Sequence, residues 1–352
     1  MSKLEKTIQA IEPLDEAVMA ETQQRLDNLT KPPGSLGVLE TIARQIAGIT
    51  GQVMPPLPRK GIILMAGDHG VVAEGVSAFP QEVTPQMVYN FANGGAAINV
   101  LARHAGATLC MVDVGVARDL PDLPGLVKRK VAYGTRNMAR GPAMTVDEAV
   151  AALEVGIDMA NEQVNQGVSL VALGDMGIGN TTPSAALLAA FEGVPAEEAV
   201  GRGTGVNDDG LQRKIEAIKR ALAVNQPDPD KPLEVLAKVG GLEIAGLAGV
   251  VLGAAARRVP VLVDGFISGA AALVATKLAP MARHYLIGSH LSVEPGHKKM
   301  LEAMGIKATL LMDMRLGEGT GAALAMLMVD AALKILHEMA TFEDAGVSRG
   351  SE

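Results

Sequence analysis

Val168-Ser169-Leu170-Val171-Ala172-Leu173 runs without a break into Gly174-Asp175-Met176-Gly177-Ile178-Gly179-Asn180-Thr181-Thr182, and Pro183 follows. The first part is a short aliphatic run bounded by glycine, which reads as a buried strand. The glycine-rich turn then opens a helix near Pro183. Five more runs of the same kind lie at about residues 61 to 66, 107 to 113, 260 to 264, 284 to 288 and 307 to 312, most followed by a helical pattern. Strands that alternate with helices need crossover connections, so the sheet is parallel and covered on both sides. The expected fold is α/β: a mainly parallel, six-stranded, Rossmann-like sheet with helices on both faces.

Helix signals fit this spacing. Ile8, Ile11, Leu14, Val18, Leu26 and Leu29 are spaced helically, and Val38, Leu39, Ile42, Ala43, Ile46 and Ala47 repeat the pattern until Gly51, which predicts two helices before any strand. Thr145 and Glu148 form a capping box for a helix that Gly167 stops. Another helix follows Asp208, and Pro227, Pro229 and Pro232 mark a surface connection. A last helix from about Gly321 to Met339 is expected to pack with the N-terminal pair.

The chain has 352 residues, 48% hydrophobic and 20% charged, enough for a sizeable core. Aromatic residues make up only 2%, so the core is built from aliphatic side chains and close backbone packing. The net charge is −8, with no basic stripe interleaved with aromatics, which argues against nucleic acid as a partner and for a small substrate. Cys110 sits in an apolar run and reads as a buried, inert thiol. The first twenty residues carry no apolar core of a signal peptide, and Ile244 to Ala256 is too short to span a bilayer of about 30 Å. A cytoplasmic enzyme without membrane partners is the expectation.

Open parallel sheets bind ligands beyond the carboxyl ends of their strands. There the sequence places Gly67-Asp68-His69-Gly70, Gly174 to Thr182, Asp264-Gly265-Phe266, Ser289-His290-Leu291-Ser292 and Arg315-Leu316-Gly317-Glu318-Gly319-Thr320-Gly321. The amides of Gly177 to Thr182 and the Thr181 and Thr182 hydroxyls can face a phosphate at a helix N-terminus; an ordinary turn with a threonine cap is the plainer reading. Gly201-Arg202-Gly203-Thr204-Gly205 is a second donor-rich loop. Neither matches the P-loop or the dinucleotide fingerprint, which disfavours nucleoside triphosphates and NAD. The histidines are scattered and no paired cysteines occur, so no metal site or other cofactor is expected. His69 suits an orienting role in its turn better than direct catalysis.

Glu318 lies between two glycines just after a strand, where backbone approaches a ligand closely. In an aliphatic pocket its pKa rises toward a range useful for proton abstraction. The competing reading is an acid that merely complements a helix N-terminus.

The stretch Arg315 to Ala322 resembles the signature of the nicotinate-nucleotide:dimethylbenzimidazole phosphoribosyltransferases. The resemblance extends through Lys31 to Gly37, Gly67 to Val71, Phe79 to Met87, Gly177 to Thr182, Gly201 to Gly205 and Ser289 to His297, covering nearly the whole chain in the family's order. It implies a catalytic α/β domain (51–321), a small helical domain made from both chain ends (1–50 and 322–352), a homodimer, and a place in assembling the lower nucleotide loop of cobalamin. It also implies Glu318 as the catalytic base. Substrate contacts then fall on Phe79, Met87, Asp175, Gly177, Ile178, Gly179, Asn180, Thr181, Gly203, Thr204, Lys214, Ser292, Leu316 and Gly317. Some relatives have polar residues where Phe79 and Met87 stand, and many have Glu where Asp175 stands.

The implied substrates are nicotinate mononucleotide and a benzimidazole-type base. Nicotinate leaves the ribose as a neutral pyridine, so neither a general acid nor a metal is needed and one base suffices. Benzimidazoles, adenine and phenolic compounds all stand as acceptors, because their contacts differ by only about a few kcal/mol. A nucleotide-binding dehydrogenase and a non-enzymatic binding module in which Glu318 only caps a helix are the rival functions.

Overall fold

The computed structural model describes residues 1–348; the last four residues of the expected 322–352 segment lie outside the described residues. One sheet organises the chain. Its strands are β1 (Lys60–Gly67), β2 (Thr108–Gly115), β3 (Leu126–Lys128), β4 (Leu170–Met176), β5 (Val261–Val263), β6 (Leu286–His290) and β7 (Ala308–Leu310). They stand in the order β3-β2-β1-β4-β5-β6-β7, with every neighbouring pair parallel. The expected sheet thus gains a seventh strand. β3 has three residues, none of them fully buried, at the sheet edge and followed by Arg129 and Lys130. Such a segment carries no apolar run for periodicity to detect.

The first three strands step one way from β1 and the last four step the other way from β4, so the topological switch falls between β1 and β4. The two faces of the sheet are told apart by period-two alternation. Ile63 and Met65 of β1 join the core beneath the helices Val146–Asn165 and Leu242–Ala256, while Ile62 and Leu64 join the opposite core. On the first face, glycine replaces aromatic bulk. A Cβ on Gly156 would lie 1.8 Å from the Gly246 carbonyl oxygen, and one on Gly249 would lie 1.9 Å from that of Leu153. Only backbone-to-backbone contact lets these two helices come so close.

Three helices, not two, precede the first strand: Lys3–Gln9, Glu16–Asn28 and Val38–Thr50. The apolar spacing runs on through Ile11 and Leu14, yet the chain breaks between them because Pro13 cannot continue a helix and Asp15 caps the next one through the Val18 amide. Leu26, Leu29, Ile42 and Ile46 meet Met326, Val329, Leu333 and Leu336 of the helix Thr320–Glu338 in one core. That core also holds Leu170, Ala172, Leu262 and Ile287 from the sheet, so the helices Glu16–Asn28, Val38–Thr50 and Thr320–Glu338 pack continuously onto one sheet face, while Leu4 of Lys3–Gln9 joins the core on the other. Thr320–Glu338 is long and apolar enough to cross a bilayer, but Val329 and Leu333 are fully buried in this core.

Candidate active site

Glu318 is buried, at 6% exposure, and its backbone is left-handed at φ +62°. Gly317 and Gly319 flank it at φ +84° and +92°, so three successive residues adopt a conformation that only glycine takes freely. The turn presses against β4: a Cβ on Gly174 would sit 2.6 Å from the Glu318 carbonyl oxygen. The Glu318 Oε2 accepts the Ile98 amide at 3.3 Å, in the first turn of the helix Ala97–Ala105. Burial pushes the carboxyl above the ordinary range and the Ile98 amide pulls the other way; the net shift is upward, as the sequence leads one to expect.

Asp175, at the end of β4, faces the same turn. A Cβ on Gly317 would lie 3.2 Å from its Oδ2, which accepts the Asn180 amide group at 3.0 Å. Its Oδ1 is buried without a hydrogen-bond partner. Burial and the neighbouring Asp264 and Glu243 carboxyls hold Asp175 well above the usual carboxylate range.

The two glycine-rich loops expected to hold phosphate adjoin one another. Gly179 is left-handed at φ +90°, and Gly177 packs so tightly that a Cβ would lie 2.3 Å from the Gly67 carbonyl oxygen. The Ile178 amide donates to Thr84 Oγ1 at 3.0 Å, which ties this turn to the helix Val83–Ala92. Lys214 Nζ donates to Thr181 Oγ1 at 2.8 Å and to the Gly201 carbonyl at 2.9 Å. A Cβ on Gly203 would come within 2.9 Å of Thr181 Oγ1 and 3.0 Å of Lys214 Nζ. Burial lowers the Lys214 ammonium to about 8, against the opposing pull of Glu294.

The remaining expected contacts are less concentrated. Thr204 is exposed, and Leu316 is 58% exposed beside the Glu318 turn. Ser292 is buried; its amide donates to His297 Nδ1 at 3.0 Å and its hydroxyl accepts the Glu294 amide at 3.4 Å. Met87 lies half-buried in Val83–Ala92, and Phe79 just before that helix is 49% exposed.

Two acids that sequence reasoning does not single out, Glu243 and Glu294, join the cluster, together with Asp264, which it places at the strand ends without a role. Glu243 Oε1 lies 2.7 Å from His69 Nε2, with both side chains buried, and this partner raises the His69 pKa against the effect of desolvation. His69 therefore orients its turn behind Gly177, whose added Cβ would lie 3.2 Å from Nε2. Glu294 Oε1 accepts the Gly203 amide at 2.8 Å. Asp264 accepts two amides of the segment after Glu318. Glu243 leaves one signal in the sequence, as a lone acid at the head of the apolar helix Leu242–Ala256. Among the described residues, no group of three or more His, Cys, Asp or Glu side chains is placed to hold a metal ion. A cavity of about 600 Å³ opens elsewhere, lined by Arg136, Arg140, Met144 and Lys238 among others, and shares no lining residue with this cluster.

A family model described as phosphoribosyltransferase matches residues 11–347. The chain is 60% identical to the nicotinate-nucleotide–dimethylbenzimidazole phosphoribosyltransferase of Geobacter sulfurreducens over 350 residues, 99% of either chain. It is 58% identical to the enzyme of that name from Chloroflexus aggregans over the full length of both. Among solved structures, the crystal structure of CobT from Thermus thermophilus superposes with a TM-score of 0.92 at 53% identity, covering 95% of this chain and 100% of that one.

Proposed function

Since the chain belongs to the nicotinate-nucleotide–dimethylbenzimidazole phosphoribosyltransferases and transfers a phosphoribosyl group between those two bases, we propose that Glu318 is the general base of that transfer. The incoming benzimidazole presents one nitrogen to C1′ of nicotinate mononucleotide and gives the N–H proton of its other nitrogen to the Glu318 carboxylate. The new C–N bond forms on the face opposite the breaking bond to nicotinate, through a transition state with oxocarbenium character. The bonding electrons leave with the pyridine, which departs neutral, and the configuration inverts from β to α. The product is α-ribazole 5′-phosphate, a precursor of the lower nucleotide loop of cobalamin.

The observation that carries this reading is a buried carboxyl, pushed up by desolvation, presented by a left-handed turn at the ligand crevice. A helix-capping acid needs no such presentation. Gly177 to Thr182 and Gly203 with Thr204 form the phosphate cradle, and Lys214 supplies its positive charge. Asp175, with an unpartnered buried oxygen, makes a hydrogen bond to base or ribose. Phe79, Met87 and Leu316 form a flat apolar wall for the base, and Ser292 holds the edge of the crevice through Glu294. The enzyme acts as a cytoplasmic homodimer; the exposed Val293, Leu311 and Met312 are apolar surface suited to a partner.

Glu318→Gln decides the matter. We expect turnover with both substrates to fall by ~2 to 4 orders of magnitude while nicotinate mononucleotide binding, followed calorimetrically, stays intact. Unchanged turnover would return Glu318 to a capping role.

A further inference from the structure

Asp264 directly follows β5 and is completely buried. Its Oδ2 accepts the Gly319 amide at 3.2 Å and its Oδ1 accepts the Ala322 amide at 2.9 Å. The helix Thr320–Glu338 has no side-chain cap of its own, since glycine occupies its capping position. Ala322 lies in the first turn, where no carbonyl within the helix can reach its amide. Asp264 is therefore a cap delivered from the end of a different strand; burial pushes its carboxyl up to about 7, against the pull of the amides it accepts.

The same two hydrogen bonds brace the turn that displays Glu318. A glutamate at positive φ flanked by two left-handed glycines does not hold its shape by local preference. Among the described residues, Asp264 is the only side chain outside the segment 317–322 that hydrogen bonds to its backbone. The surroundings fix Asp264 in turn. Its carbonyl accepts the Ser289 hydroxyl at 2.9 Å, and the His290 ring lies so close to the helix start that a Cβ on Gly321 would fall 1.9 Å from Nδ1. His290 Nδ1 is 3.8 Å from Asp264 Oδ1, but burial lowers the pKa of that imidazole, so backbone amides and not a cation face the carboxylate.

We propose that Asp264 is a positioning residue for the transfer, its carboxylate fixing the left-handed turn that aims Glu318 into the crevice. This rests on Glu318 being the base, and a double-mutant cycle separates the two claims. Asp264→Asn keeps one acceptor oxygen but turns an NH2 group toward the second amide. In the wild-type background it should lower kcat roughly 10- to 100-fold while the KM for nicotinate mononucleotide changes by less than about threefold. In the Glu318→Gln background the same substitution should change the remaining rate by less than about twofold, because there is no base left to misplace. An equal loss in both backgrounds would mean that Asp264 supports the site at large and would overturn the proposal, as would no loss in the wild type. Should Glu318→Gln alone cost nothing, the base assignment fails and this falls with it; failure of Asp264→Asn alone leaves that assignment standing. If the variant does not fold, hydrogen exchange on the wild-type protein serves instead. The Ala322 amide should exchange at least ~100-fold more slowly than in an unstructured peptide. An unprotected amide would overturn the proposal.

Discussion

Two glycine-rich regions meet at the candidate site, alike in backbone: acids gather beside one, and a lysine with the acid Glu294 lies beside the other. The turn 317–319 and the loops around Gly179 and Gly203 all rely on left-handed residues, the first two after strands and the third between the helices Ala196–Ala199 and Asp208–Asn225. Around the first, Asp175, Asp264 and Glu318 gather, and burial moves each of their carboxyls upward. Around the second, Lys214 is buried against Thr181 and Gly201, and burial moves its ammonium downward to about 8. Desolvation disfavours whichever form is charged, so the same burial pushes acids and a lysine toward neutrality from opposite sides. Under the roles proposed for Glu318 and Lys214 this is a division of labour: one wall does the proton chemistry and the other holds the anion.

That division breaks or survives on Lys214→Met. If the cradle only binds, the KM for nicotinate mononucleotide should rise roughly 10- to 100-fold, with kcat within about threefold of the wild type. This is the mirror image of the behaviour expected for Glu318→Gln. Steady-state kinetics with saturating dimethylbenzimidazole would show it, and a kcat that collapses together with KM would erase the distinction between the walls.

The pH profile sharpens the same contrast. Glu318 must be ionised to take a proton, and its pKa lies above the ordinary carboxylate range, so kcat should fall as pH drops through that raised value. Lys214 loses its charge as pH rises through about 8 in the free enzyme, so kcat/KM for nicotinate mononucleotide should fall roughly tenfold per unit above that point. In Lys214→Met the alkaline limb should vanish and the acid limb remain. An alkaline limb that persists would assign it to another group.

How much of this was legible in the sequence follows from the range of the interactions. The alternation of strands with helices, the capping box at Thr145 and the glycine-flanked Glu318 are local signals, and each has its counterpart in the structure. The short β3 and the break at Pro13 to Asp15 escape because Leu126 and Val127 run straight into Lys128, Arg129 and Lys130, and because apolar spacing carries on across the break. Glu243 and Glu294, and the task of Asp264, escape for a different reason. Their partners lie 174, 91 and 55 or more positions away, and no spacing along the chain announces a contact made only by folding. In the sequence Asp264 is one more polar residue after a strand, and only the turn it braces gives it a task.

A smaller effect is expected from Gly203→Ala. Its φ of +53° disfavours a side chain, and the new methyl would press on Thr181 Oγ1 and Lys214 Nζ. The KM should rise by about three- to tenfold without loss of kcat, and the protein should lose about 1 kcal/mol of stability in urea titrations. A larger kcat effect than KM effect would mean that the cradle reaches into the chemistry.

The smallest effect is also the most pointed, because it sets function against stability at one residue. Glu318→Gly should be inactive, yet it relieves a non-glycine residue from a left-handed conformation and removes a buried carboxyl. A gain of about 1 kcal/mol, or roughly 1 to 3 °C in Tm, is expected. The gain should depend on pH with a definite sign. A carboxyl whose folded pKa is raised supports the fold below its unfolded value, near 4.5, and that support is lost as pH rises through the folded value. The stability difference between variant and wild type should therefore be least in acid and grow toward neutral pH. A variant destabilised at every pH would show that the turn prefers glutamate for its own sake, and that no strain is stored at Glu318 for the Asp264 cap to hold.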